Sequence, residues 1–324
     1  MSAVPELLTA LRAAADPTRL RLLALCARAE LTVSELVRVL GQSQPRVSRH
    51  LKLLVDAGLL DRVREGSWVF HRLAQEGPKA DIAAGLIRWL PAGDADLALD
   101  LRRLEEVSRQ RERQASAYFR RNAVAWHRLR SLYIDESEVE EALLRLMGNR
   151  PLDNLLDIGT GTGRLIEVFA GRARHLLGID MSSDMLAVAR ANLKRAGLAS
   201  ATVRKADMYQ LPFAGPRFDG VIIHQVLHFA DNPAQVIAEA ARVMRPGGRL
   251  VLADFAPHDR EELRREHEHR RLGFSDSEVA GWFRAAGLKP GESVRLRGNP
   301  LTVCVWAAAK PGRALRREDE SRER

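Results

Sequence analysis

The sequence predicts an α/β protein with a sheet in its C-terminal half and a smaller, mostly helical region before it. Residues 152–309 alternate short apolar runs with amphipathic stretches, the pattern of parallel strands joined by helices. Residues 5–73 have the pattern of short helices followed by a strand pair. Residues 78–147 have the pattern of helices, with a break at 91–94.

Composition narrows the class of protein. A chain of 324 residues with 46% hydrophobic and 29% charged residues has room for two globular domains. It has neither an apolar run of membrane-spanning length nor a signal-peptide pattern, so we expect a cytoplasmic protein with no membrane partner. Its two cysteines, Cys26 and Cys304, lie too far apart in sequence for a Cys-x-x-Cys metal site. The net charge of +9 points to a polyanionic partner.

The most informative stretch is a glycine loop after an apolar strand, Leu155–Gly163, before a predicted helix at 164–171. Glycine allows a sharp turn and a close approach of ligand to backbone. The next predicted strand ends in Asp180, which could accept both hydroxyls of a ribose. The third glycine of a dinucleotide fingerprint would fall at Arg164, so the spacing predicts a different nucleoside ligand.

This D-x-G-x-G-x-G loop resembles motif I of the class I S-adenosylmethionine (SAM) methyltransferases. Four later motifs most resemble the ubiquinone/menaquinone-biosynthesis type: Asp207-Met208, Leu211-Pro212-Phe213, Phe218-Asp219 and Arg245-Pro246-Gly247-Gly248. The resemblance implies a Rossmann-like, seven-stranded sheet whose last strands lie near 290–297 and 301–309. It also implies SAM, or its product S-adenosylhomocysteine (SAH), as the cofactor.

The resemblance assigns roles to individual residues. Asp157 would hold the methionyl ammonium and Asp180 the ribose hydroxyls, with strand-end capping as the alternative for both. The predicted cofactor-binding residues are Asp157, Gly159, Thr160, Gly161, Gly163, Asp180, Met181, Asp207, Met208 and His224. Of these, Met181 and Met208 would pack on the adenine, and Asp207 would accept its amino group.

Methyl transfer needs a base only when the acceptor atom carries a proton. His224 and His228 follow the fourth predicted strand and are candidate general bases, with packing or substrate contact as the alternative. A second group looks ligand-like but lacks the His-Glu-x-x-His spacing, so we expect a solvated charged face and no metal. It consists of His258, Glu266, His267, Glu268 and His269.

The N-terminal region contains a Thr-x-x-Glu capping box at the start of Thr32–Leu40, a turn at Gly41-Gln42, a helix over Ser43–Leu54, and a hairpin over Gly58–Leu73. This order resembles the ArsR/SmtB family of winged helix-turn-helix regulators and implies binding to double-stranded DNA; the alternative is a helical subdomain with a basic face. The predicted DNA-binding residues are Gln44, Arg46, Ser48, Arg49 and His50 on the recognition helix, and Arg62 and Arg64 on the wing.

Metal-responsive members of that family carry a Cys-Val-Cys sequence before the recognition helix. This chain has Thr32-Val33-Ser34 there, and residues 79–115 contain no histidine. Because hydroxyls are poor ligands for soft metals, we expect a regulator that does not sense metal.

The connector has the pattern of one long helix from Asp94 to about residue 132, with an apolar stripe at Leu97, Leu101 and Leu104. The family resemblance implies that this helix dimerises, giving a homodimer suited to a palindromic operator. The aromatic pairs Tyr118-Phe119 and Trp126-His127 would form a lid over the cofactor or pack on the core.

The predicted domains are a winged helix-turn-helix at 1–76, a helical dimerisation, linker and lid segment at 77–147, a methyltransferase domain at 148–310, and a disordered charged tail at 311–324. The predicted function is a transcriptional regulator that senses SAM or SAH and has the residues to methylate a small molecule. The alternative is an active methyltransferase for a quinone-like or other acceptor, with an accessory DNA-binding domain.

Overall fold

The computed structural model describes residues 3–65, 68–74, 78–91, 93–122, 135–198 and 201–312. The chain divides into two compact units. The first unit comprises residues 1–126, 226–236 and 254–281, and the second comprises residues 127–225, 237–253 and 282–324. Two stretches that follow strands of the predicted methyltransferase sheet therefore belong to the same unit as the N-terminal helices.

The first unit begins with a winged helix-turn-helix. Its elements are α1 (Ala3–Ala14), α2 (Pro17–Cys26), β1 (Leu31–Thr32), α3 (Val33–Leu40), α4 (Gln44–Asp56), β2 (Leu60–Glu65), β3 (Trp68–Leu73), α5 (Pro78–Trp89) and α6 (Ala95–Asn122). The strands form a three-stranded sheet in the order β1-β3-β2, with β2 and β3 paired antiparallel as the predicted hairpin.

Local sequence signals explain the helix-turn-helix. Thr32 caps α3 as one half of the predicted capping box, in which the side chain of Glu35 accepts a bond from the Thr32 N–H at 2.8 Å. Gly41 ends α3 in the left-handed conformation, with φ of 64°. Ser43 occupies the N-cap position of α4, although its side chain makes no capping bond. On α4 the residues predicted to face inward, Val47, Leu51 and Leu54, are buried in the core.

Helix α6 packs against this core within the same unit. Arg21 on α2 donates two hydrogen bonds, of 2.5 and 2.7 Å, to the fully buried carboxylate of Asp100. Leu101, Leu104 and Val107 pack on the core of the winged helix. Much of the predicted apolar stripe is thus covered by the chain's own core. The predicted continuation of the helix to residue 132 lies outside the described residues.

The two later stretches of the first unit contain a short 3₁₀ helix, Leu227–Phe229, and helix α11, Glu262–His267. The expectation of a solvated charged face here was wrong for His269, which is 7% exposed. The reason is local: α11 ends at His267, and Glu268 adopts a left-handed conformation with φ of 57°. The turn directs the next residue inward, where its ring stacks on His228.

The second unit contains the predicted seven-stranded sheet, in the order β6-β5-β4-β7-β8-β10-β9. The remaining elements are α7 (Glu136–Met147), β4 (Leu152–Ile158), α8 (Arg164–Val168), β5 (Ala173–Asp180), α9 (Ser183–Arg195), β6 (Ala201–Lys205), β7 (Phe218–His224), α10 (Pro233–Val243), β8 (Met244–Phe255), α12 (Asp276–Ala285), β9 (Lys289–Arg297) and β10 (Thr302–Ala309). Strands β4 to β8 pair in parallel and β9 pairs antiparallel with β10. Helix α8 ends at Val168, three residues before its predicted end.

No helix within the described ranges is both long enough and apolar enough to cross a lipid bilayer.

The buried His71 on β3 predicts a pH-dependent stability. Desolvation lowers the pKa of His71 from 6.5 to about 4. Between pH 6.5 and pH 4, His71 is therefore protonated in the unfolded chain but not in the folded chain. The free energy of unfolding should fall as the pH falls through this range. His71 changes the free energy of unfolding by at most roughly 1.4 kcal/mol per pH unit.

Thermal unfolding of the parent and a His71→Gln variant between pH 7 and 4.5 measures this contribution. The melting temperature of the parent should fall more steeply with acidity than that of the variant. Equal slopes would contradict the desolvation of His71.

Candidate nucleotide-binding and DNA-binding sites

The glycine loop lies between β4 and α8 at the carboxyl edge of the sheet. Gly159, Gly161 and Gly163 all have positive φ, at 75°, 52° and 82°. Only glycine adopts this conformation at low cost, which explains the spacing of the motif. A Cβ on Gly163 would also lie 3.2 Å from that of Ala189 on α9.

Asp180, at the end of β5, holds this loop. Its carboxylate accepts hydrogen bonds from the backbone N–H of Gly161 at 2.9 Å and of Ser182 at 2.8 Å. Burial raises the pKa of Asp180, and these N–H bonds oppose that rise. The structure thus brings together two of the predicted cofactor-binding elements, the glycine loop and the acid of the second strand.

One buried polar group of the same loop has no partner among the described residues. The hydroxyl of Thr160 is buried and has no hydrogen-bond partner among the described residues. It lies against Gly178 on β5, where a Cβ would come within 2.6 Å of the hydroxyl oxygen. A buried hydroxyl without a partner commonly marks a place where a ligand or water completes the bonding.

The other predicted cofactor residues follow the carboxyl ends of strands. Asp157 is buried in β4. Met181 is exposed directly after β5. Asp207 is exposed and accepts a bond from the backbone N–H of Tyr209 at 2.8 Å, and Met208 beside it is half-buried. These positions are those from which side chains can reach a ligand outside the strand ends of an open α/β sheet.

His224 is the last residue of β7 and is buried. The next residue, Gln225, was missed by sequence reasoning. It is a non-glycine residue with φ of 50°, held by a 2.8 Å bond from its N–H to the carbonyl of Ala253. Its side-chain amide nitrogen is buried with no partner within the described part of the chain. Strained backbone of this kind is concentrated at functional sites, but no sequence signal marks a non-glycine residue for it.

His228 lies in the first unit, within a group that we call the histidine cluster: His228, His258 and His269 with Asp254, Phe229 and Phe255. Nδ1 of His228 lies 2.8 Å from Oδ1 of Asp254, which is fully buried. The ring of His269 stacks on that of His228 with centroids 4.0 Å apart, and Phe255 stacks on His269 at 5.7 Å. Asp254 and His269 received no functional role in the sequence analysis.

Hydrogen bonds set the tautomers in this cluster. The carboxylate of Asp254 accepts from Nδ1–H of His228, which leaves a lone pair on Nε2 when the ring is neutral. Nδ1 of His258 accepts from the N–H of Arg260 at 3.2 Å, so its proton is on Nε2. Desolvation, with His228 as a second cause, lowers the pKa of His258 to about 4 and that of His269 well below 6.5. Both rings are therefore neutral at physiological pH.

Two consecutive arginines follow the cluster and belong to an ion-pair group that sequence analysis did not single out. We call it the arginine clamp: Arg72, Arg270 and Arg271 with Glu30, Glu35, Asp231 and Glu278. Arg271 is 1% exposed and pairs with Glu30, and with Glu278 at 2.9 Å. Arg72 on β3 reaches the same two carboxylates, at 3.1 and 2.9 Å.

Among the described residues, no group of three or more histidine, cysteine or acidic side chains is arranged to hold a metal ion.

Most of the predicted DNA-reading side chains are exposed. Gln44, Arg46, Ser48 and Arg49 on α4 are exposed, as are Arg62 and Arg64 on β2. His50 differs, because its side chain is 14% exposed and its Nδ1 lies 3.8 Å from the carboxylate of Asp16. Its side chain is therefore less accessible to DNA than those of its neighbours on α4.

The comparisons agree with both halves of this description. A model of the methyltransferase domain matches residues 156–252, and a model of bacterial regulatory proteins of the arsR family matches residues 16–62. The ubiquinone biosynthesis O-methyltransferase of Dechloromonas aromatica (strain RCB) is 32% identical over 163 residues, which cover 46% of this chain and 69% of that protein. The chain belongs to the SAM-dependent methyltransferases. It carries an ArsR-type helix-turn-helix ahead of the methyltransferase domain.

Two other proteins are similar to part of this chain. The demethylmenaquinone methyltransferase of Tropheryma whipplei (strain Twist) is 29% identical over 161 residues, covering 50% of this chain and 64% of that protein. A proposed methyltransferase from Bacillus halodurans C-125 superposes with a TM-score of 0.50 at 21% identity, over 54% of this chain and 99% of that one, which shows the fold alone. The predicted family resemblance and the seven-stranded fold are confirmed.

Asp180 offers the sharpest test of the nucleotide site. An Asp180→Asn variant keeps the size of the side chain but loses the charge that favours two ribose hydroxyls and the loop N–H. We expect SAH affinity, measured by calorimetry, to fall at least tenfold.

Asp184→Asn, an exposed acid in the first turn of α9, is the matched control and should leave SAH affinity unchanged. If the Asp180 variant retained parental affinity, the ribose assignment would be wrong.

Proposed function

We propose that this protein is a homodimeric transcriptional regulator that binds double-stranded DNA through its winged helix and SAM or SAH through its methyltransferase domain. Binding of the nucleotide changes its affinity for DNA. In this proposal Asp157, Asp180 and the glycine loop hold the nucleotide. Arg46, Arg49 and their exposed neighbours on α4 and β2 hold the DNA.

One observation carries the proposal. Residues 254–281, which leave the end of a methyltransferase strand, form one compact unit with the winged helix. The arginine clamp joins them, since Arg270 and Arg271 of this stretch pair with Glu35 and Glu30 of the helix-turn-helix. A ligand that changes this stretch would therefore act directly on the packing of the DNA-binding helices.

Thermodynamics limits how such a regulator works. The nucleotide must bind the DNA-competent and DNA-incompetent conformations with different affinity, and DNA must then change nucleotide affinity by the same factor. A typical coupling free energy of about 1 to 3 kcal/mol corresponds to roughly a 5- to 150-fold change in the affinity for DNA. This range is easily measured.

The residues of the glycine loop suit the nucleotide. The unpartnered hydroxyl of Thr160 and the left-handed glycines supply polar backbone and side-chain groups at one loop. Asp157, at the end of the strand that leads into the loop, adds an acidic group. These features support SAM or SAH over a phosphate-bearing nucleotide, because acidic groups would repel a phosphate.

A second candidate function is favoured by the relatives named above. When bound, SAM supplies a methyl group that is already activated for transfer, and the chain would transfer it to a small-molecule acceptor. The relatives named above act on ubiquinone and menaquinone precursors by name, which makes a quinone-like acceptor the first to test. Catalysis and regulation can coexist in one chain.

Fluorescence anisotropy with a duplex from upstream of the protein's own gene tests the proposal. SAM and SAH are titrated separately, and SAH production is followed in parallel with candidate acceptors. A shift in DNA affinity supports the regulator, whereas turnover with no effect on DNA favours the enzyme with an accessory DNA-binding domain.

The recognition helix gives a prediction that depends on salt. Replacing Arg46 and Arg49 by alanine removes two exposed cations from α4. The affinity for the duplex should fall, and the slope of log affinity against log salt should become smaller by up to about 2.

An Arg88→Ala, Arg102→Ala variant removes the same charge from exposed positions on α5 and α6 and serves as the control. Equal losses in the two variants would show a non-specific charge effect and count against the recognition helix.

The dimer is supported by an uncovered apolar face on α1. Val4, Leu7, Leu8 and Leu11 are exposed in this short helix, with Leu8 at 45%. Contiguous exposed apolar residues of this kind commonly mark an interface. A second copy of the chain is the occupant that suits a palindromic operator.

A Leu8→Glu variant should therefore shift the protein towards monomer in sedimentation velocity. Leu53→Glu, at a residue on α4 that is 44% exposed, is the control and should remain dimeric. A parental protein that is monomeric at micromolar concentration would refute the dimer.

A further inference from the structure

The start of helix α3 is held by an arginine that lies far along the chain. Nη1–H of Arg270 donates to Oε1 of Glu35 at 3.3 Å, across 235 positions of sequence. Oε2 of the same Glu35 accepts from the N–H of Thr32, so one carboxylate both caps α3 and binds the arginine. Arg270 therefore contacts the group that fixes where the first helix of the helix-turn-helix begins.

The same guanidinium contacts the second strand of the wing. It lies 5.2 Å from the ring centre of Phe70 on β3, and Phe70 is fully buried. Phe70 is also the register partner of Thr32 on β1, so the strand pair and the helix cap meet beside this ring. A cation over an aromatic face is attracted to the ring, and more strongly when both are out of water. Arg270 thus joins the start of α3 to the strand that positions the wing.

Two further contacts restrict the orientation of Arg270. Its Nε lies 2.9 Å from Oδ1 of Asp231, and its Nη2–H donates to the backbone carbonyl of Glu30. Its side chain is only 6% exposed. A buried guanidinium whose planar fork meets partners in three directions is held in one orientation, which the ammonium of a lysine would not reproduce.

A change at the start of α3 reaches the recognition helix by a short route. Helix α3 is eight residues long and is joined to α4 through residues 41–43 alone. Leu36 and Val39 of α3 lie in the same buried core as Val47 and Leu51 of α4. Because a close-packed core transmits a shift instead of absorbing it, movement of α3 changes the orientation of α4.

Recognition of one DNA sequence depends on this orientation more than binding to any DNA does. Contacts to phosphates supply nearly all of the affinity for non-specific DNA and carry no sequence information. Base edges are read by hydrogen bonds, which weaken steeply when distance and angle depart from their optimum. A small rotation of α4 relative to the wing therefore removes sequence-specific contacts first.

We propose that Arg270 is a positioning residue for DNA recognition. By holding Glu35 and Phe70 it fixes α3, and through α3 the recognition helix, relative to the wing. Arg270 thereby sets how well the protein distinguishes its operator from other DNA. It lies outside both stretches matched by the family models, 16–62 and 156–252, so the resemblance to either family does not predict this role. The inference rests on the proposed function, because it needs a protein that binds DNA.

The experiment measures how well the full-length protein discriminates between two duplexes. One duplex is selected by the parental protein from a random pool, and the other is a shuffled sequence of the same length and composition. Anisotropy gives both dissociation constants with SAM, with SAH or with neither, in the state in which the parental protein binds most tightly. For Arg270→Gln we expect the ratio of the two constants to fall by roughly fivefold or more, through weaker binding to the selected duplex.

The salt dependence separates positioning from the loss of a phosphate contact. The slope of log affinity against log salt reports how many phosphates the protein neutralises. Because Arg270 is buried and already ion-paired, its replacement should leave this slope unchanged for both duplexes. A smaller slope would show that Arg270 itself binds phosphate, and would overturn its assignment as a positioning residue.

Glu35→Gln tests the same ion pair from the other side, and it is the substitute if Arg270→Gln does not fold. A glutamine can still accept from the Thr32 N–H, so the capping box is retained while the charge that holds Arg270 is lost. If Glu35 and Arg270 act through one contact, the double variant should lose less discrimination than the product of the two single losses.

The matched controls remove the same charges at exposed positions. Arg265→Gln changes an arginine of α11, and Glu138→Gln changes an acid in the first turn of α7. Both should keep the parental ratio of dissociation constants within about twofold, because additivity and independence are expected of residues that share no partners.

The outcomes distinguish this inference from the proposed function. A parental protein that prefers one sequence, together with Arg270 and Glu35 variants that keep its discrimination, overturns this inference alone. An equal loss of affinity for both duplexes also overturns it, because that result shows a general effect on folding. Losses that multiply in the double variant count against a shared contact. A parental protein that selects no sequence from the pool overturns both proposals.

Discussion

The first unit depends on a group of buried ion pairs around Glu30. This side chain accepts from Arg271 and Arg72, while its backbone carbonyl accepts from Arg270. Removing one member of a buried ion pair lowers the free energy of unfolding by about 3 to 5 kcal/mol, because the remaining charge is left buried without a partner. The members of the clamp come from residues 30–35, 72, 231, 270–271 and 278, so this constraint fixes segments that are far apart in sequence. Such a group contributes less to net stability than to the choice of one arrangement of these segments over others.

Local rules predicted much of the fold. The capping box at Thr32, the glycine end of α3 and the alternating hairpin are short-range signals, and each forms as the sequence predicts. The parallel strands were predictable for the same reason, since each is a short apolar run between helices. The glycine loop was the clearest part of the candidate site, because a left-handed backbone requires glycine and the sequence shows it directly.

Contacts between residues that are far apart in the sequence could not be predicted in this way. Nothing in a pair of arginines at 270–271 indicates that both are buried, because arginine is ordinarily a surface residue and becomes interior only when carboxylates from other segments surround it. His269 illustrates the same limit: a helical projection placed it on a solvated face, and a single left-handed residue redirected it inward. The stripe on α6 was recognised correctly as apolar, but its partner was the chain's own core, and sequence periodicity does not identify what a face packs against.

The composition of the first unit has a consequence for how the protein can be divided. A fragment that ends before residue 226 would keep every helix and strand of the winged helix but lose Asp231, Arg270, Arg271 and Glu278. Glu30 and Arg72 would then face each other without their arginine and glutamate neighbours, and the aromatic surface of Phe70 would lose two guanidinium groups that cover it. The winged helix is therefore completed by residues that follow most strands of the sheet in the sequence, so cutting the chain between the two would not give two independent proteins.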